Sequence, residues 1–97
     1  MYLVREVFRT KPGKAKELVK KFKQTAPIME KQGMKGFKIM TDIATTYWTV
    51  VLESEVDDLG KFAKEIRGET SQPEMQNIMK GYLDLVEEGR REIYLIE

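Results

Sequence analysis

Tyr2-Leu3-Val4-Arg5-Glu6-Val7-Phe8-Arg9 alternates with a period of two, which marks a β-strand and sorts its side chains onto two unlike faces. Tyr2, Val4, Glu6 and Phe8 share the more apolar face, the one expected to meet helices. Leu3, Arg5, Val7 and Arg9 share the other. Thr10-Lys11-Pro12-Gly13 then breaks the strand. Beyond it, Ala15, Leu18, Val19, Phe22, Ala26 and Met29 recur at helical spacing, with lysines 14, 16, 20, 21 and 23 opposite them as a solvated face. Pro27 falls inside this stripe and is expected to kink the helix or to end its first section near Ala26. Gly33 is its stop.

Residues 34–42 and 46–54 read as a strand hairpin joined by Ile43-Ala44-Thr45, and Tyr47-Trp48-Thr49-Val50-Val51-Leu52 is the strongest β segment of the chain. Ser54-Glu55-Val56-Asp57 has the form of a capping box and predicts a helix with Val56, Leu59, Phe62, Ala63 and Ile66 inward, ended by Gly68. Ser71-Gln72-Pro73-Glu74 repeats that form. It predicts a helix placing Met75, Ile78, Met79, Tyr82 and Val86 on one side as far as Gly89, before a last strand over residues 90–96.

The order strand, helix, strand, strand, helix pair, strand gives an α+β, ferredoxin-like split βαβ arrangement. Its four-stranded antiparallel sheet carries the helices on one face, in a single domain over residues 1–97. The other face would expose Leu3, Val7, Tyr47 and Val51, a large patch for a monomer, so a homodimer through the sheet faces is expected.

The chain has 97 residues, with 17 Lys plus Arg against 16 Asp plus Glu for a net charge of +1. That balance argues against a dedicated nucleic-acid or anionic-membrane binder. An RNA-recognition module would carry a Lys/Arg-Gly opening on the third strand, which Tyr47-Trp48-Thr49-Val50 lacks; Lys35-Gly36-Phe37 lies one strand too early. With no Cys and no His, thiolate chemistry, iron–sulfur clusters, His-containing triads and ordinary zinc sites are excluded. No apolar run reaches the ~20 residues of a membrane span and no signal-peptide pattern opens the sequence, so a cytoplasmic protein is expected.

The whole chain resembles the dimeric α/β-barrel superfamily, in its antibiotic-biosynthesis-monooxygenase-like and NIPSNAP-like branches. The residues that carry the likeness are the first strand running into Lys11-Pro12-Gly13-Lys14 and a long helix, then the hairpin. They continue with Glu53-Ser54-Glu55-Val56-Asp57-Asp58-Leu59, Ser71-Gln72-Pro73-Glu74 and Gly89-Arg90-Arg91-Glu92-Ile93-Tyr94. The resemblance implies a closed barrel of two facing sheets, with a cleft in each subunit between sheet and helices. Members oxidise polycyclic phenols without metal or flavin, degrade haem, isomerise small ring compounds, or lack a known activity. Many place His just after the Ser-x-Pro turn, where this chain has Glu74 and Met75, and haem degradation also needs an Asn where this chain has Glu6. Both departures argue against haem chemistry.

Glu6 is the leading candidate for catalysis, as a carboxylate on the apolar face of the first strand. Burial there would raise its pKa toward general acid–base use, whereas an ion pair with a nearby Lys or Arg is the structural alternative. Tyr82 is the second catalytic candidate, orienting a substrate. Trp48, Tyr94 and Asn77 are ligand-binding candidates for a small aromatic or apolar ligand, each with a packing or surface alternative. Arg91 is a candidate for an anionic group, with Arg5 and Arg90 beside it, against the alternative of salt bridges to Glu53 or Glu92 of a partner subunit. Asp57-Asp58 alone does not make a metal site, since Asp57 is taken by the capping box. No metal or cofactor is expected. Two readings follow: a small-molecule-binding protein with cofactor-independent monooxygenase or isomerase chemistry in the cleft, or a non-enzymatic homodimer whose cleft its own side chains fill.

Overall fold

The computed structural model describes residues 1–68 and 72–97. Its elements are β1 (Tyr2–Thr10), α1 (Ala15–Lys31), β2 (Lys35–Thr41), β3 (Thr49–Val56), α2 (Leu59–Ile66), α3 (Pro73–Met79), a 3-10 turn over Tyr82–Asp84, and β4 (Val86–Leu95). The sheet order is β2-β3-β1-β4 and every neighbouring pair is antiparallel. β3 therefore lies between β1 and β2, the split βαβ order expected from the sequence.

Register follows the alternation of β1. Val4 sits opposite Ser54 and Ile93, Glu6 opposite Leu52 and Arg91, and Phe8 opposite Val50 and Gly89, all on the helix-facing side. Arg5 sits opposite Glu53 and Glu92, and Val7 opposite Val51 and Arg90, on the bare side. A one-residue slip would exchange the two sets, and burial of Val4, Val50 and Leu52 under the helices fixes the choice.

The core falls into two clusters. Leu18 and Phe22 of α1 pack with Val50, Leu52 and Leu85, and Phe62 of α2 packs with Val4, Met34 and Val56. Met29 and Phe37 touch both.

Four local expectations are corrected. α1 runs through Pro27 to Lys31, so of the two outcomes expected at Pro27 the helix does not end there. Pro27 and Lys23, whose carbonyl loses its usual donor, both lie on the exposed side, and the Thr25 hydroxyl donates to the Phe22 carbonyl at 3.0 Å beside that break. Ser54 to Val56 are strand rather than helix cap, because both are buried beneath the helices, and the cap of α2 is Asp58, whose Oδ1 accepts from the Lys61 amide at 3.0 Å. Ala63 accordingly faces solvent.

Residues 46–48 belong to the β2–β3 loop. Asp42 Oδ1 accepts from the Thr49 amide at 2.9 Å and closes the loop there, so the strand begins at Thr49. Finally, the helix expected to reach Gly89 ends at Met79. Gly81, at φ 82, takes a left-handed turn that helix geometry forbids, and Val86 to Leu95 is strand. Of the second capping box, Ser71 lies outside the described residues, and Gln72 precedes α3 without a side-chain cap.

Lys21 is not part of a free lysine face. Its Nζ donates to the Ile78 carbonyl at 3.0 Å and the Lys80 carbonyl at 2.9 Å, closing the C-terminal end of α3 and tying it to α1. Lys21→Met removes both bonds. Discounted for partial exposure, the loss is about 1–2 kcal/mol of local stability, so amide exchange over residues 75–79 should speed up roughly 5- to 30-fold. Hydrogen-exchange mass spectrometry reads this directly; unchanged protection would show that packing alone holds α3.

Candidate functional site

A cleft of about 400 Å³ opens between the sheet and the helices, at the seam between the two core clusters. Phe8 and Leu52 form part of its sheet side, Phe22 and Met29 come from α1, Phe62 from α2, and Met75 and Met79 from α3. Phe8 and Phe22 meet with ring centroids 5.5 Å apart at 38°, a tilted aromatic contact. The lining is mostly apolar and carries a small polar set that includes Glu6, Arg91, Glu65 and Tyr82. Such a mixture is the usual composition of a small-molecule site.

Glu6 and Arg91 meet because β1 and β4 put them directly opposite on the helix-facing side. Arg91 Nε donates to Glu6 Oε1, and the guanidinium lies over the Phe62 ring, 5.9 Å from its centroid. The Glu6 side chain is 16% exposed and that of Arg91 41%. Burial pushes the Glu6 carboxyl above the ordinary glutamate range, against the hydrogen bond and charge of Arg91, which pull it down. Burial also raises Glu65, against the opposing charge of Lys61.

These directions give a pH dependence. A carboxyl with a raised folded-state pKa binds protons more tightly in the folded chain than in the unfolded one. Its contribution to stability is therefore greatest at acid pH and falls as pH rises from the ordinary glutamate range through the raised value. Glu6→Gln should remove its share of that fall, so the stability difference between variant and wild type should move in the variant's favour as pH rises through the window. Urea unfolding of both proteins across that range measures it; a difference moving the other way would mean that Arg91, not burial, dominates at Glu6.

The structure brings Glu6, Arg91 and Tyr82 to one cleft and leaves the other sequence candidates elsewhere. Trp48 lies in the β2–β3 loop and lines a separate groove, because the chain turns at Asp42 before the strand begins. Asn77 is exposed on α3. Tyr94 stands on the bare side of the sheet, where its hydroxyl donates to Glu92 Oε1 at 3.0 Å; that bond and the charge of Glu92 raise the phenol's pKa.

The arginines proposed to reach a partner find acids within the chain. Arg5 pairs with Glu53 at 2.9 Å and Glu92 at 3.5 Å, Arg90 with Glu92 at 2.7 Å, and Arg91 with Glu6. Among the described residues no cluster of three or more His, Cys, Asp or Glu could hold a metal ion, and no helix is long and apolar enough to cross a membrane.

Glu65 of the lining, and Gly89 next to it behind Phe8, escaped the sequence reading. Glu65 lies on the helix expected from the sequence but was hidden among its charged positions. Gly89 was read as a helix stop, yet it lies in β4 beneath the Phe8 ring, where a Cβ would stand 2.9 Å from Phe8 Cδ1. A glycine opposite an aromatic residue is the available signal for such a pair, once the strand register is known.

No protein-family model matches the sequence, and no curated protein is similar to it by sequence. Solved structures do match. An uncharacterized NIPSNAP domain protein from Burkholderia xenovorans superposes with a TM-score of 0.79 at 17% identity, over 100% of this chain and 95% of that one. The fold is that of the NIPSNAP-domain proteins. A NIPSNAP family protein from Agrobacterium tumefaciens gives a TM-score of 0.78 at 17% identity, over 100% of this chain and 94% of its own. An antibiotic-biosynthesis-monooxygenase-like protein from Deinococcus radiodurans gives 0.76 at 13%, over 100% and 93%. The likeness to the NIPSNAP and monooxygenase-like structures matches the resemblance read from the sequence. At these identities it establishes the fold, and the chemistry has to come from the residues of this chain.

Proposed function

We propose that this NIPSNAP-like chain binds a compact, largely apolar or aromatic small molecule in the sheet–helix cleft, with an acidic O–H or C–H of the ligand set against Glu6. The carrying observation is the Glu6–Arg91 pair at an otherwise apolar cleft of about 400 Å³. A carboxylate with a raised pKa accepts a proton nearer neutral pH, and the adjacent guanidinium favours the negative charge left on the ligand. Tyr82, on the same lining, orients the ring. Once deprotonated, a phenol-like substrate carries its own redox chemistry toward oxygen, and a carbon acid can be reprotonated elsewhere as an isomer; the monooxygenase and isomerase readings share this first proton transfer.

The non-enzymatic reading keeps one support. Four methionines, Met29, Met34, Met75 and Met79, line the cleft and make an adaptable wall. The open volume favours a bound ligand over a cleft filled by side chains.

The proposal includes a cytoplasmic homodimer through the bare sheet faces. Leu3, Val7, Val51, Met40 and Tyr94 lie on that side, and the arginines among them, Arg5 and Arg90, are already paired with acids of the same chain, which lowers the cost of covering them. The molecule measures 35 × 34 × 19 Å, a two-layer slab with one layer uncovered. Native and denaturing mass spectra of protein purified from its own cells test both parts. The expected result is a dimer carrying a non-covalent mass that is lost on denaturation. A dimer without it favours the non-enzymatic reading, and a monomer overturns the assembly.

A further inference from the structure

A groove of about 850 Å³ runs between the first turns of α1 and the β2–β3 loop, and it shares no lining residue with the cleft. Ala15, Val19, Tyr47 and Trp48 supply apolar surface, and Lys16, Lys20 and Lys23 border it. We propose that this groove is a second binding site, for a flat aromatic carboxylate, with the Trp48 indole as stacking surface and the three lysines as the anion's partners.

Trp48 is the one non-glycine residue with positive φ among those described, at 65°. That conformation is unfavourable for a residue with a Cβ and persists only when its surroundings impose it. Here the buried Thr10 imposes it: its amide donates to the Trp48 carbonyl at 2.8 Å and its hydroxyl lies 3.4 Å from the same oxygen. The result is an indole held 42% exposed at the groove instead of folded into the core.

The lysines form one row at i, i+4 and i+7, all exposed. Among the described residues none of the three has an ion-pair partner within 4.0 Å. Glu17 is engaged by Lys14 at 3.4 Å, and the one carboxylate lining the groove, Asp42, has Oδ1 turned to the Thr49 amide and forms no ion pair with the three lysines. Like charges at this spacing repel one another, and three lysines against the single carboxylate of Asp42 leave the groove with an excess of positive charge beside an aromatic platform. The ligand that satisfies both is a ring bearing an anion.

The chain has a single tryptophan, so its fluorescence reports this groove alone. The probe is 4-nitrobenzoate, whose nitro group quenches indole on contact, with neutral 4-nitrobenzyl alcohol as the control. The expected result is saturable quenching by the carboxylate, linear collisional quenching by the alcohol, and binding at least tenfold weaker in a Lys16→Gln/Lys20→Gln variant, whose exposed positions leave folding intact. Linear quenching by both compounds overturns the proposal, as does saturation indifferent to the lysines. Emission that shifts with protein concentration and resists both quenchers would show a second copy seated there instead, and would overturn it too.

Discussion

Gly89→Val is expected to lower the melting temperature by about 5–15 °C and to abolish binding in the sheet–helix cleft. The added Cβ would stand 2.9 Å from Phe8 Cδ1 and 3.1 Å from Cε1, with the Val7 carbonyl 3.6 Å away, so the ring must move. Phe8 is packed against Phe22 and both line the cleft, which leaves the cleft as the space available to the displaced ring. Overpacking of this kind costs about 1–3 kcal/mol, and valine's better strand propensity offsets part of it, which leaves a net loss of about 1–2 kcal/mol. In a domain of this size each kcal/mol corresponds to about 4–8 °C. Calorimetry measures the first effect and ligand titration the second. A variant that melts like wild type and binds equally well would show that Phe8 has room the structure does not give it.

Glu6→Gln is expected to lower turnover of the compound the cleft takes by about 10²- to 10⁴-fold, the usual contribution of a general base. Glutamine keeps the shape and one accepting oxygen, so the Arg91 contact survives in part. The Arg91 side chain is 41% exposed, which lets water solvate its charge when the carboxylate is gone. Folding is therefore retained while the proton acceptor is lost. The kinetic loss should fall on the rate constant more than on ligand affinity, because the acceptor acts as the proton leaves. Equal turnover in the two proteins would remove Glu6 from the mechanism and leave the cleft a binding site.

The period-two pattern of residues 2–9 was enough to place Glu6 with Val4 and Phe8 on the helix-facing side, and the order of patterns was enough for the sheet. What the sequence hid came from contacts between distant segments. Pro27 sits where water relieves the lost hydrogen bond, so the helix continues past a residue that usually ends one. Ser54-Glu55-Val56-Asp57 satisfies the spacing of a capping box, yet burial of Ser54 and Val56 holds it in the sheet and passes the cap to Asp58. The stripe Met75, Ile78, Met79, Tyr82, Val86 is helical in period, but the left-handed Gly81 breaks it, and the same residues then serve a helix, a 3-10 turn and a strand.

The site was legible to the same extent. Glu6 and Tyr82 could be named from their stripes, whereas the pairing of Glu6 with Arg91 depends on the register of β1 with β4. A helix read through residues 86–89 hides that register, since those residues are strand. Trp48 and Tyr94 read as cleft residues because ligand pockets are mostly apolar with a few placed polar groups. A side-chain-closed loop removes one from the sheet, and alternation puts the other on its bare side.

The central claim, that the cleft holds a ring compound with its acidic hydrogen against Glu6, is tested most directly with 2-naphthol. Its excited hydroxyl is a strong acid, and its emission separates the protonated from the deprotonated form. In an apolar cleft with Glu6 at hand, bound naphthol should emit as naphtholate in the wild-type protein and as neutral naphthol in Glu6→Gln, with similar affinity for both. Emission spectra that are identical in the two proteins, or naphthol that fails to bind saturably to either, would contradict the account.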